Sequence, residues 1–256
     1  NGEEGSLARR NKYLMGEKVR HAGVRAVKQC SCVSLEQLRE FCANLTAKPF
    51  KCVVKPVQSA GSDDVFLCGS IEEAETAFKR IFGKRNGLGL INESALLQEF
   101  LAGNEFVIDK VSLDGHHKTC AIWEYDKREC NGSAFVYFGM RLRPSDTEKA
   151  KVLLAYADKV LDALGIEQGP SHMEVMWLRE ENGPCLVEVG SRCQGGEGTW
   201  LPVAKECIGY QQVEMTIDCY LGGHGIFSDV PKDLYPMNKY GRDVDMVNMR
   251  GGIVRS

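Results

Sequence analysis

Cys185-Leu-Val-Glu-Val-Gly-Ser-Arg-Cys-Gln-Gly-Gly-Glu-Gly198 begins as an apolar run broken by one acid, Glu188, and ends in a glycine cluster that follows Arg192. Just upstream, His172-Met-Glu-Val-Met-Trp177 repeats the pattern, an apolar strand with a central acid, Glu174. The connection, Arg179-Glu-Glu-Asn-Gly-Pro184, is polar and carries the glycine a turn needs, so the two runs read as a hairpin. In an antiparallel hairpin Glu174 and Glu188 can lie across from each other. Two adjacent carboxylates repel unless something positive stands between them. A divalent cation meets that need, and Mg²⁺ that also touches phosphate commonly takes only one or two protein carboxylates. The bland alternative is a solvent-facing acid on each strand.

The rest of the chain narrows the class. With 256 residues, 43% hydrophobic and 26% charged, it can bury a sizeable core. A net charge of −3 and the lack of a basic block point away from nucleic acid. No apolar run approaches the ~18 residues of a membrane span, and no signal-peptide pattern opens the chain. Most of the eleven cysteines fall in apolar periodic segments, where they act as small core residues, and an odd total does not make a complete disulfide framework. A reducing cytoplasm is the expected compartment. The chain opens on Asn1 and a polar Gly/Glu stretch, which suggests a piece of a longer polypeptide.

Ser6 is positioned to cap a helix running to about His21, with Gly23 as its stop. Its cations, Arg9, Arg10 and Lys12, make either a solvated face or a phosphate contact. A short strand is expected within 24–33. Ser34-Leu-Glu-Gln37 is a capping box for a helix to about Leu45. Phe50 to Pro56 is a buried strand with Lys55 near its end. A small polar loop follows, Gln58-Ser-Ala-Gly-Ser-Asp-Asp64, and then a strand from Val65 to Cys68. Such a hairpin loop can offer backbone N–H groups and hydroxyls to an anion while Lys55 adds charge. GxxxxGK[ST] is absent, so it is not a P-loop.

Ser70-Ile-Glu-Glu73 opens a helix to about Phe82. Strands follow at Ala95 to Leu101, Glu105 to Leu113, Thr119 to Tyr125 and Ala134 to Leu142, with Asp114-Gly115 as a hairpin turn. Ser145 and Glu148 read as a capping box for a long amphipathic helix ending at Gly165, and helices are expected near Trp200 to Gly209 and Gln211 to Leu221. The mixture is α+β. Of the other conspicuous residues, His116-His117 reads as a solvated turn. His172 shares a strand side with Glu174 and is a candidate for substrate or phosphate contact. Trp200 lines an acceptor pocket or sits in the core. Tyr125-Asp-Lys-Arg128 faces substrate carboxylates or is a solvated turn. Cys193 has only Arg192 beside it to activate a thiol.

Five ordered motifs resemble the ATP-grasp superfamily: Arg-Asn-Lys-Tyr-Leu-Met (10–15), Val-Val-Lys-Pro-Val-Gln-Ser-Ala-Gly-Ser-Asp-Asp-Val (53–65), Leu-Gln-Glu-Phe-Leu-Ala-Gly-Asn-Glu-Phe-Val-Ile-Asp (97–109), His-Met-Glu-Val (172–175) and Val-Glu-Val-Gly-Ser-Arg (187–192). More narrowly the chain resembles the carboxylate–amine ligases that include bacterial L-amino-acid (dipeptide) ligases and carnosine synthase. The resemblance implies two α+β subdomains gripping ATP. On this reading 1–45 leads in from an amino-terminal domain absent from this chain, 46–101 is the lid subdomain, and 102–256 is the large subdomain with the Mg²⁺ and phosphate site.

The resemblance also implies roles, residue by residue. Lys12 and Lys55 contact nucleotide phosphates. Ser59, Gly61 and Ser62 belong to the flap over the triphosphate. Gln98, Glu99, Phe100 and Leu101 form the adenine hinge, and Glu105 accepts from the ribose hydroxyls. Glu174 and Glu188 hold Mg²⁺ (or Mn²⁺), and Arg192 holds the transferring phosphoryl group. The implied reaction joins a small-molecule carboxylate to an amine through an acyl-phosphate, with ATP going to ADP and phosphate. A homodimer fits the family. Other outcomes of the same family are a carboxylase or purine-pathway type of enzyme and a non-catalytic ATP-binding module. Many relatives carry Asn two residues after the second acid; here that position is Gly190, which opens the number of metal ions.

Overall fold

The computed structural model describes residues 2–46, 48–59 and 64–249. Two short helices lead in, α1 (Glu3–Arg10) and α2 (Lys12–His21). The single Ser6-capped helix expected from the sequence is therefore split. Asn11 takes an extended conformation, and its side chain accepts from the Leu14 amide at 3.0 Å. Asparagine offers the backbone this local alternative to a continuous helix. The break puts Lys12 at the first position of α2, where its amide donates to the Val57 carbonyl at 3.0 Å.

The smaller sheet gathers β1 (Gln29–Cys32), β2 (Cys52–Pro56), β3 (Phe66–Cys68) and β4 (Ala95–Glu99) in the antiparallel order β1-β4-β2-β3. Helices α3 (Leu35–Ala43) and α4 (Ile71–Ile81) belong to the same unit. Both start as their capping boxes predict, with Ser34 accepting from Gln37 N and Ser70 from Glu73 N. The core is small and thiol-rich: Leu38, Cys42, Cys52, Val54, Cys68, Phe78, Ile81 and Leu97. β1 and α3, set with the leading segment in the sequence, are part of this sheet and its core.

The larger sheet gathers β5 (Gly103–Leu113), β6 (His116–Cys130), β7 (Ser133–Arg143), β8 (Gly169–Leu178), β9 (Gly183–Gly190) and β10 (Arg242–Val244), all antiparallel, in the order β10-β7-β6-β5-β8-β9. Asp114 (φ 51°) and Gly115 (φ 76°) make the predicted turn, both in the left-handed region that type I′ demands. Between β7 and β8, α5 (Glu148–Leu164) buries Leu153, Leu154, Ala157, Val160, Leu161 and Leu164 in the main core. Each fully buried leucine or valine contributes roughly 1.5–3 kcal/mol. Gly165, φ 64°, ends the helix as expected.

The cap of α5 is Thr147, which accepts from Ala150 N at 3.1 Å, not Ser145. Ser145 is buried and instead accepts from Tyr235 N at 3.0 Å. Helices α6 (Trp200–Ile208), α7 (Gln212–Tyr220) and the one-turn α8 (Ile226–Asp229) follow β9. The weak pattern after Gly223 hides α8 and β10, a three-residue edge strand. The architecture is α+β, as the sequence predicts. Among the described residues no helix is long and apolar enough to cross a membrane.

Candidate active site

In the β8–β9 hairpin, Glu174 lies directly across from Glu188, and His172 across from Gly190. The register slips just after Glu174, leaving Val187 unpaired, and such a bulge bends the strand and re-aims neighbouring side chains. The two acids do not share one partner. Glu188 is 3.2 Å from Lys12 Nζ. Glu174 is 3.7 Å from His172 Nε2, whose other ring nitrogen lies 2.9 Å from Asp109 Oδ1. Trp123 Nε1 donates to Asp109 Oδ2 at 3.1 Å, so a fully buried carboxylate is held from two sides.

Electrostatics follow from this packing. Burial by itself opposes charge on both His172 and Glu174. Their hydrogen bonds and charges outweigh it, raising His172 to about 9 and lowering Glu174 to about 2. Among the described residues no cluster of three or more metal-ligating side chains exists. An ion here would therefore take two carboxylates from the protein and the rest of its shell from phosphate and water, which suits Mg²⁺.

The smaller sheet faces these acids with cations. Lys55, on β2, is buried, and burial pulls its ammonium down to about 8 against the opposing charge of Glu188. Lys12 Nζ also donates to the Ser59 carbonyl at 2.7 Å, and Asn86 Nδ2 to the Gln58 carbonyl at 2.7 Å. The stem of the expected flap is thus tied to α2 and to the loop after α4. Gly61 and Ser62, also expected in the flap, lie outside the described residues.

Glu105, on β5, accepts from Lys127 Nζ at 2.7 Å. Burial raises Glu105 to about 7, with Lys127 opposing the rise. At the junction of the sheets, Gln98 donates to Gln29 Oε1 at 3.0 Å. The Glu99 carboxylate is occupied by the Lys28 amide at 2.8 Å and Arg25 at 3.1 Å. These side chains are spent on structure, so what 98–101 can offer a ligand is backbone. Phe100 lies under Lys51, and Leu101 packs against the cluster of Val27, Leu178 and Cys185.

Arg192 is exposed, donates to the Cys193 carbonyl at 3.0 Å, and folds over Gly190, where a Cβ would meet its Cγ and Nε at 3.4 Å. Trp200 is 1% exposed and donates to the Gly195 carbonyl at 2.9 Å, so it is a core residue that fastens the glycine cluster. Burial raises the Cys193 thiol, which leaves it unactivated. His117 departs from the solvated turn expected of it. It is buried, 2.7 Å from Ser112 Oγ and 3.2 Å from Asp162, while His116 is exposed. Within 125–128, Asp126 and Arg128 pair at the surface and Lys127 turns inward.

Lys12, Lys55, Glu105, Glu174, Glu188 and His172 therefore come together, while Arg192 lies over Gly190. Sequence reasoning missed Asp109 as a member, and it singled out Lys127 only within 125–128, without its partner Glu105. Asp109 carried a signal, an acid closing the apolar run Phe106-Val-Ile, but its partner is on another strand.

Lys12 of α2 and Lys55 of the small antiparallel sheet thus face the paired carboxylates of the large one. The chain belongs to the ATP-grasp family, whose domain matches residues 48–200. It is 37% identical over 208 residues to dapdiamide A synthase of Enterobacter agglomerans, covering 81% of this chain and 47% of that protein. It is 24% identical over 250 residues to alanine–anticapsin ligase of Bacillus subtilis (strain 168), covering 90% of this chain and 50% of the relative. The crystal structure of an L-amino acid ligase from Bacillus licheniformis superposes with a TM-score of 0.66 at 22% identity, over 85% of this chain and 49% of that one. The chain spans about half the length of the curated relatives it matches.

Proposed function

We propose that the protein is an ATP-dependent ligase that joins a small carboxylic acid, an amino acid by analogy with its relatives, to an amine. The carboxylate oxygen attacks the γ-phosphoryl group, giving an acyl-phosphate and ADP. The amine then attacks the acyl carbon, the C–O bond to phosphate breaks, and amide and phosphate leave. The observation that carries this reading is the opposition of Lys12 and Lys55 to the Glu174–Glu188 pair.

Phosphoryl transfer needs alignment and charge neutralisation more than covalent help. Lys12 and Lys55 hold the phosphates, Glu105 accepts from the ribose, and the backbone of 99–101 reads the adenine edge. Arg192 swings from its surface contact to the transferring phosphoryl group. Glu174 and Glu188 would hold Mg²⁺ (or Mn²⁺), which supplies charge neutralisation for the phosphate oxygens. Asp109, through His172, keeps Glu174 ionised for that task. The acid and amine sites, a cytoplasmic setting and a homodimer stand as expectations from the family.

The test is a thermal-shift titration with ATP or ADP plus Mg²⁺, followed by phosphate release with amino-acid pairs. A ligand bound at 100 times its Kd stabilises the native state by about 2.7 kcal/mol. The wild type should show a metal-dependent rise that Lys55→Ala abolishes, and Glu188→Gln should lose ATP turnover by about 100-fold or more. Unchanged turnover in Glu188→Gln would sink the metal assignment.

A further inference from the structure

We propose that Lys127 is a positioning residue that fixes the Glu105 carboxylate and so makes the nucleotide site select ribose over 2′-deoxyribose. This rests on the proposed ATP site and names a residue and a selectivity that the reading above lacks. Phe106 of β5 lies opposite Glu124 of β6. Just beyond that pair the β6–β7 register shifts between Tyr125 and Lys127, and the Lys127 side chain reaches Glu105.

The ammonium of Lys127 is enclosed rather than solvated. It lies 2.7 Å from Glu105 Oε1, 4.6 Å from the Tyr125 ring centroid and 4.4 Å from that of Tyr137. The two rings meet edge to face at 5.1 Å, and both members of the ion pair are only 14% exposed. A cation against two aromatic faces and one carboxylate has little freedom to move. Through the ion pair, the carboxylate has little either.

That restraint matters because Glu105 sits where burial favours its neutral form, and Lys127 is the first of the groups opposing protonation. Neighbouring Glu174 and Glu188 push the other way. A carboxylate offers about four lone-pair sites, so with Lys127 on Oε1 the anchored group still has room to accept from two ligand hydroxyls. A vicinal diol donates to such an anchored carboxylate. An analogue lacking the 2′-hydroxyl makes one charge-assisted hydrogen bond fewer to that carboxylate, and sites built to bond a substrate hydroxyl discriminate against analogues without it.

The test is calorimetric binding of ADP, 2′-deoxyADP and tripolyphosphate, each with Mg²⁺, to the wild type, Lys127→Met and Lys127→Arg, with folding checked by circular dichroism and melting. The wild type should prefer ADP over 2′-deoxyADP by about tenfold or more. Lys127→Met should reduce that preference to about threefold or less and weaken ADP more than tripolyphosphate, and Lys127→Arg should restore most of the preference. If Lys127→Met does not fold, Tyr137→Leu, which removes one wall of the cage, should lower the same ratio. A folded Lys127→Met (or, in its place, Tyr137→Leu) that keeps the full preference overturns the proposal. So does an equal loss for all three ligands, which marks a merely structural residue. Equal wild-type affinity for ADP and 2′-deoxyADP refutes Glu105 as the ribose acceptor. Failure of the wild type to bind any nucleotide refutes the ATP site itself, a separate result.

Discussion

The β8–β9 hairpin and the β5–β6–β7 meander belong to one sheet but use charge in opposite ways. The hairpin puts like charges face to face, Glu174 against Glu188, and meets them with His172 of its own strand and Lys12 from α2. The meander sets opposite charges together, Glu105 with Lys127 and, across to β8, Asp109 with His172. Like charges in contact mark where a ligand or ion is wanted, whereas matched pairs mark what holds the site still. Breaking a matched buried pair should therefore cost stability, and breaking the like-charged pair should cost activity.

The largest effect on that comparison comes from Asp109→Asn. Asp109 is fully buried and accepts from both His172 and Trp123. Removing its charge takes from buried His172 the nearer of its two carboxylates, and breaking a buried pair typically costs roughly 3–5 kcal/mol. Urea denaturation should register that loss, while Glu188→Gln, at a half-exposed position beside Lys12, should change stability by about 1 kcal/mol or less. Equal losses for the two variants would erase the distinction between the hairpin and the meander.

A smaller effect tests whether the two sheets act on one ligand. Glu105 must be ionised to accept from a ribose, and burial has raised it to about 7. Lys55 must be protonated to hold phosphate, and burial has lowered it to about 8. Nucleotide affinity should therefore climb as pH rises through about 7 and fall as pH passes about 8, by about tenfold per pH unit on each outer limb. Binding of Mg-ADP across this range should give a narrow bell. Lys55→Ala should flatten the alkaline limb and leave the acid one. A flat profile in the wild type would separate these groups from nucleotide binding.

The hairpin was legible in the sequence because everything it needs is local. Alternation, the Asn182-Gly183 turn and two central acids fix its register within twenty residues. Ser34, Ser70 and the Asp114-Gly115 turn were legible for the same reason. Lys127 and Asp109 were not, since each acquires meaning from a partner 22 or 63 residues away on a strand whose register depends on bulges. Trp200 was ambiguous because burial of an indole depends on which helix covers it. Asn11 shows the limit of periodicity, because one side chain capping Leu14 outweighed a pattern continuous from Ser6 to His21.

The smallest effect concerns the end of α5 and separates a local cap from a long-range tie. Both Ser145 and Thr147 precede Glu148, and spacing alone favours Ser145. In the fold the hydroxyl of Thr147 caps Ala150 N at 3.1 Å, while Ser145 meets Tyr235, 90 residues on, through the Tyr235 amide at 3.0 Å. Thr147→Ala should cost about 1 kcal/mol, the usual worth of a cap. Ser145→Ala should cost about 1–3 kcal/mol, because it leaves a buried amide without an acceptor. Amide hydrogen exchange distinguishes the two directly. Thr147→Ala should speed exchange at Ala150 and leave Tyr235 protected, and Ser145→Ala should do the reverse. Faster exchange at Ala150 in Ser145→Ala would return the cap to Ser145. It would also mean that the C-terminal segment is held to the large sheet by something other than this serine.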